Sequence, residues 1–255
     1  MRGLILAAGR GSRLGPLCEQ RPKCLVELAG RPLLERQIEA LRRGGVEQIG
    51  IVRGYCAERL EGRAPTLFDN PRWAQTNMVM SLAAAAEWLR AGPLIVSYGD
   101  IFFPAELARA LAEAPGELVI AYDCAWRSLW MRRFVDPLSD AETFRIDARG
   151  HLLEIGGRAA HIEEIQGQYM GLLKFTPAAW TVIETLLAAL DPQARDRLDM
   201  TALLRRLLAD QRLSIATVAT EGGWGEIDSP SDLALYEQML RGGELSLEPA
   251  AAAVT

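Results

Sequence analysis

Apolar residues along the first half of the chain come in short runs, separated by stretches with helical spacing. Residues 3–7 make an apolar run of buried-strand length, and residues 48–52 make a second. Between them, residues 32–43 carry the i, i+3, i+4 pattern of a helix with Pro32 at its first position. Residues 66–68 read as a short strand. Asn77 has the side chain of an N-cap and opens a helix predicted over 78–89. The run 94–98 ends at Gly99-Asp100, and a helix over 104–113 with a strand over 117–122 repeats the unit. This alternation predicts an α/β chain with a mostly parallel sheet and crossover helices.

The rhythm changes after Asp123. Residues 124–141 carry Trp126, Trp130, Phe134 and Pro137, and apolar stretches at 144–146 and 151–155 flank a turn at 147–150. The segment 124–168 reads as a small β-rich insertion over one end of the sheet. A strand over 169–175, helices over 177–190 and 200–211, a strand over 213–218 and a helix over 231–240 follow. Ser229-Pro230-Ser231-Asp232 supplies the last helix with an N-cap, a proline in its first turn and an early acid. One domain is expected over residues 1–241, with a small, polar and flexible tail over 242–255.

With 255 residues, the chain is long enough for a full α/β core. Its net charge of −5, without a basic stripe, argues against a nucleic-acid partner. No apolar run is long enough for a signal sequence or a membrane span, so the expectation is a cytoplasmic protein without membrane insertion. Cys18, Cys24, Cys56 and Cys124 form no metal-like spacing and read as reduced thiols. With only His151 and His161, a zinc centre and a Ser-His-Asp hydrolase are both disfavoured.

The first apolar run empties into Gly9-Arg10-Gly11-Ser12-Arg13, and Pro22-Lys23 follows. Such a loop suits a triphosphate, because glycines let the backbone approach anionic oxygens while Arg13 and Lys23 add charge. Only two of the 28 basic residues are lysines, Lys23 and Lys174, so Lys23 stands out as a compact point charge unless its identity is chance. A dinucleotide fingerprint fails, because Gly15 comes one place late and Pro16 and Pro22 disfavour an immediate helix. A Walker loop fails too, because Lys23 is followed by Cys24.

Leu6-Ala7-Ala8-Gly9-Arg10-Gly11-Ser12-Arg13-Leu14, Pro22-Lys23 and Gly30-Arg31-Pro32-Leu33 together resemble the nucleotidyltransferase family that activates sugar phosphates and polar-lipid head groups. Asn77, Ser81-Leu82, Gly99-Asp100 and Glu226-Ile227-Asp228-Ser229 extend the resemblance to about residue 240. It implies a Rossmann-like, GT-A-like nucleotidyltransferase fold. It also implies attack by an acceptor phosphate oxygen on the α-phosphorus of a nucleoside triphosphate, with release of pyrophosphate. A phosphate monoester is already mostly dianionic near neutral pH, so this chemistry needs cations rather than a histidine base.

By the same resemblance, Lys23 meets the α-phosphate, Arg13 faces the pyrophosphate, and Asp100 and Asp228 hold Mg²⁺. Read alone, Asp100 ends a strand in a turn and Asp228 helps to cap a helix. The resemblance places the nucleotide against Leu6, Ala7, Ala8, Gly9, Gly11, Ser12, Arg13, Lys23, Gln75, Thr76, Asn77 and Gly99. Asn77 reads equally as a base-reading amide and as a helix cap, and Arg10 reads as a solvent-facing side chain.

The glycine-poor segment from Gln75 to Leu82 and the Glu226-Ile227-Asp228-Ser229 motif are more similar to the phosphocholine and aminoethylphosphonate cytidylyltransferases than to the sugar enzymes. They imply CTP and a small phosphorylated amine or phosphonate, with phosphoethanolamine a further candidate. The resemblance sets the acceptor near Ser81, Trp126, Trp130, Tyr169, Trp224 and Glu226, with Trp130 against an ammonium. Tryptophans at i and i+4 read equally as a buried helix face. Met200 stands where another pocket aromatic would be, and Arg127, Arg132 and Arg133 suit an acceptor with an extra anionic group, so choline is disfavoured. Alternatives are a sugar-1-phosphate nucleotidylyltransferase using UTP, GTP or dTTP and a nucleotide-sensing regulatory subunit. A monomer or a homodimer is expected.

Overall fold

The computed structural model describes residues 1–247. Strand β1 spans Arg2–Ala7, β2 Glu27–Leu28 and β3 Arg31–Pro32, and helix α1 spans Leu33–Arg43. Then come β4 (Gln48–Arg53), β5 (Thr66–Asp69), α2 (Met78–Ala83), α3 (Ala86–Ala91), β6 (Leu94–Tyr98), β7 (Ile101–Phe102), α4 (Ala105–Glu113) and β8 (Leu118–Asp123). The second half holds α5 (Trp126–Arg133), β9 (Glu142–Ile146), β10 (Leu152–Arg158), β11 (Gln168–Phe175), α6 (Pro177–Ala189), α7 (Pro192–Asp196), α8 (Met200–Asp210), β12 (Ile215–Thr220), β13 (Gly225–Glu226) and α9 (Pro230–Arg241).

The main sheet runs β12-β8-β11-β6-β1-β4-β5. All its pairings are parallel except those of β11, which lies antiparallel between β6 and β8. The architecture is a mostly parallel sheet flanked by helices, the Rossmann-like arrangement that the sequence predicts. Strand β1 lies inside the sheet between β6 and β4, and Leu4 and Ile5 are fully buried, as expected of an apolar run covered on both faces. In α1, Leu33, Leu34, Gln37, Ala40 and Leu41 form the inward stripe. Gln37 breaks the apolar rule for a reason. Its Nε2 donates to Ile101 O at 2.6 Å and its Oε1 accepts from the Ser97 hydroxyl at 3.0 Å, pinning the turn that carries Asp100.

Three expectations need correction. The single helix over 78–89 is two helices, broken at Ala84–Ala85, where the Ala85 N–H turns to Leu82 O at 3.0 Å. The alanines there carry no breaker, so packing rather than local sequence sets the break. The insertion is β-rich only in its second part: it begins with α5, whose buried Trp126, Leu129 and Trp130 have i, i+3, i+4 spacing, and then forms the β9–β10 hairpin. Pro32 lies just before α1, paired in β3 with Glu27, rather than at the first helical position. Of the tail, residues 242–247 are described: Leu245 is buried and Glu244 pairs with Arg132 at 2.6 Å. Residues 248–255 lie outside the described residues.

Candidate active site

The carboxyl ends of β1 and β6 open onto a cleft of about 290 Å³ lined by Leu6, Ala7, Gly9, Gly11, Ser12, Arg13, Lys23, Cys24, Met78, Tyr98, Gly99, Asp100 and Asp228. Strand β1 empties into the loop, and Ser12–Cys18 then coils into a 3-10 turn. Gly11 has φ +68°, and a Cβ there would lie 2.9 Å from the Lys23 Cβ, so a side chain would push the lysine out of place. A Cβ on Gly99 would lie 2.7 Å from Leu6 O, so glycine lets the β6 turn press against β1.

Lys23 sits between two carboxylates. Its Nζ donates to Asp100 Oδ2 at 2.6 Å and also to Asp228 Oδ1. Arg13 reaches the same Asp228 oxygen at 2.8 Å while staying largely solvent-exposed. Burial opposes the lysine charge, yet Asp100 and Asp228 outweigh it and hold the ammonium above its ordinary pKa. The distant parts of the chain meet through a two-residue ladder in which β13 pairs with β7, and the Ile227 N–H donates to Asp100 O at 3.0 Å. That ladder also brings in Glu226, whose carboxyl is pushed up to about 8 by burial and then by the charges of Asp100 and Asp228.

Oxygens of Asp100, Glu226 and Asp228 lie within 4.8 Å of one another. Asp100 Oδ1 is buried without a hydrogen-bond partner. A trio of hard oxygen donors with one orphaned acceptor fits a divalent cation of the Mg²⁺ type.

Other predicted residues stand further back. The side chain of Ala8 is buried, and its carbonyl accepts from the Tyr55 N–H at 3.0 Å. Arg10 is exposed, as expected, with its guanidinium over the Tyr55 ring at 5.6 Å. Gln75, Thr76 and Asn77 do not line the cleft; Met78 does. Asn77 caps α2 through the Met78 N–H at 2.8 Å, and its Nδ2 donates to Arg197 O at 3.3 Å. Asn70, unmarked by any motif, donates to both Thr76 Oγ1 and the buried Ser81 Oγ at 3.0 Å and so shapes this loop. Tyr169 lies one layer behind the cleft, with its hydroxyl 3.3 Å from that of the cleft-lining Tyr98.

The tryptophans form no open aromatic box. Trp126, Trp130 and Trp224 are each buried, and Trp130 lies 6.0 Å from Trp126 and 6.1 Å from Trp224, centroid to centroid. The Trp130 indole donates to Asp140 at 3.1 Å and that of Trp224 to Asp123 at 2.9 Å. A cation does lie over Trp130, but it is the chain's own Arg133, at 4.9 Å. Arg127 and Arg132 are engaged too, Arg127 with Glu163 at 3.7 Å and Arg132 with Glu244. Arg133, expected to meet the acceptor, is instead paired with Asp232, and Gln37 is a neighbour of the site that motif reading misses. The signal for Gln37 was an amide in the middle of an apolar helix stripe.

The family profile of the MobA-like NTP transferase domain matches residues 3–129. The chain is 34% identical over 252 residues to a CTP:phosphoglutamine cytidylyltransferase of Campylobacter jejuni, covering 91% of this chain and 98% of that one. It is 27% identical to a 2-aminoethylphosphonate cytidylyltransferase of Lancefieldella rimae, covering 92% of this chain and 91% of the other. Among solved structures, the inositol-1-phosphate CTP transferase from T. maritima superposes with a TM-score of 0.73 at 19% identity, covering 98% of each chain. The chain therefore belongs to the nucleotidyltransferase family. It is an enzyme of that class, coupling a nucleoside triphosphate to a small phosphorylated group.

Proposed function

We propose that the chain transfers CMP from CTP to a small phosphate or phosphonate whose head bears an amide or a primary amine, with phosphoglutamine as the leading candidate. The acceptor oxygen attacks the α-phosphorus, a new P–O bond forms, the bond to the β-phosphate bridging oxygen breaks, and pyrophosphate leaves with that oxygen. Lys23, held between Asp100 and Asp228, would stabilise charge at the α-phosphate, and Arg13 would meet the departing pyrophosphate. Asp100, Asp228 and Glu226 would hold Mg²⁺. When bound, the ion neutralises phosphate charge and draws the anions together. No side chain is needed as a base, because the acceptor dianion is already the nucleophile.

The observation that carries the acceptor reading is the filled face of Trp130. Arg133 takes the place a quaternary ammonium would need, which disfavours phosphocholine. The near full-length similarity to the phosphoglutamine enzyme supports both CTP and an amide-bearing head.

Pyrophosphate release tests this with CTP, UTP, GTP and dTTP crossed against phosphoglutamine, aminoethylphosphonate, phosphoethanolamine, phosphocholine and sugar-1-phosphates. The expected result is release with CTP and phosphoglutamine or aminoethylphosphonate, with phosphocholine slower by at least about tenfold, the scale of one lost contact. Faster release with UTP and a sugar-1-phosphate overturns the proposal.

A further inference from the structure

Arg133, the last residue of α5, has only 1% of its side chain exposed. Its Nε donates to Asp232 Oδ1 at 2.9 Å, and its guanidinium packs on Trp130 and Phe134. The Nη1 group lies 3.9 Å from Glu226 Oε2 and is buried without a hydrogen-bond partner. Asp232 turns its other oxygen to the site: Oδ2 accepts from the Asp228 N–H at 3.0 Å, the Ser229 N–H at 2.9 Å and the Ser229 hydroxyl at 2.9 Å. A continuous chain of charge-assisted bonds thus runs from the insertion to the backbone of Asp228.

We infer that Arg133 is a positioning residue for the carboxylate cluster, fixing Asp228 through Asp232 and Glu226 through its charge, and so sets the affinity of the site for a divalent cation. The inference rests on the proposed reading of the three carboxylates as a metal site. Asp232 is also the third-position acid of the α9 capping box, so the bond from Arg133 to its other oxygen orients a carboxylate that already holds the 228–229 turn. The remaining fork nitrogen of Arg133 is turned toward Glu226. Loss of the cation leaves the carboxylate of Asp232 buried with no counter-charge of its own, and the 228–229 turn it holds is less firmly anchored. Lysine can replace the charge but neither the planar fork nor the stacking on Trp130.

The test compares wild type with Arg133→Met and Arg133→Lys, both checked for folding by circular dichroism. Mn²⁺ binding to the nucleotide-free protein is measured by electron paramagnetic resonance. The affinity is expected to fall about tenfold or more in Arg133→Met and by less in Arg133→Lys. The Mg²⁺ concentration for half-maximal turnover should rise in the same order, with kcat at saturating Mg²⁺ changing far less. A folded Arg133→Met that binds Mn²⁺ within about twofold of wild type overturns the inference. If that variant does not fold, wild-type affinity in Arg133→Lys does the same, and so does a wild type that binds no Mn²⁺. A wild type that binds Mn²⁺ with the expected order across variants, yet turns over none of the acceptors, supports the role of Arg133 and defeats the substrate proposal instead.

Discussion

Lys23 is flanked by Asp100 and Asp228, and its surroundings make it irreplaceable as well as charged. Lys23→Ala is expected to lower kcat for pyrophosphate release by about 100- to 1,000-fold or more, the range for losing one preorganised donor. A folded variant with near-normal turnover would remove Lys23 from the reaction. Beside it, Cys24 is buried and its thiol is pushed up to about 12, chiefly by burial. The folded protein therefore keeps a proton that the unfolded chain releases from about pH 9, and stability contributed here falls as pH rises through that window. The slope is at most about 1.4 kcal/mol per pH unit. Urea unfolding between pH 8.5 and 10.5, values chosen to bracket that release, should show a shallower decline in Cys24→Ala, and equal slopes would contradict the assignment. At this scale the meeting of the loop, Lys23, Asp100 and Asp228 in one cleft was legible only through the family resemblance, and Glu226, expected beside the acceptor, lies with the two aspartates. The roles of Arg133 and of the tryptophans were not legible. The i, i+4 pattern says that Trp126 and Trp130 share a face but not what covers it, and Arg133 becomes a partner of Asp232 only once α5 and α9 meet.

The elements that present the site do so by unusually close approach. Strands β1 and β6 end together because Gly99 leaves room for Leu6 O. Gly99→Ala is expected to cost about 1–3 kcal/mol, as overpacking does, and to lower turnover by parting the strand ends. Thermal melting with activity measured on the same preparation checks it; an unchanged melting temperature would mean that the turn absorbs the methyl freely. Most strands and helices could be read from periodicity within one or two residues, since burial imposes a period on each. What escaped were elements made by tertiary pairing. The short β7–β13 ladder, which joins Asp100 to Asp228, has only two residues on each side and no periodicity to detect. The antiparallel insertion of β11 is likewise a property of the sheet and not of residues 168–175, whose apolar run suits either direction.

Across the whole molecule, the carboxylates and the cationic loop are complementary halves of one electrostatic device. On the proposed reading, a chelator abolishes turnover and Mg²⁺ restores it. Mg²⁺ with CTP at about 100 times its Kd should add about 2.7 kcal/mol to stability. Thermal melting should show a larger upward shift with CTP than with UTP or GTP, and equal shifts would deny the cytidine preference. The contact between Lys23 and Asp228 joins residues 205 positions apart. At a synthesis rate of about 5–20 residues per second, roughly 10–40 s separate the making of the lysine from the making of its second acid. A growing chain thus carries its cationic loop long before the second acid arrives to balance it.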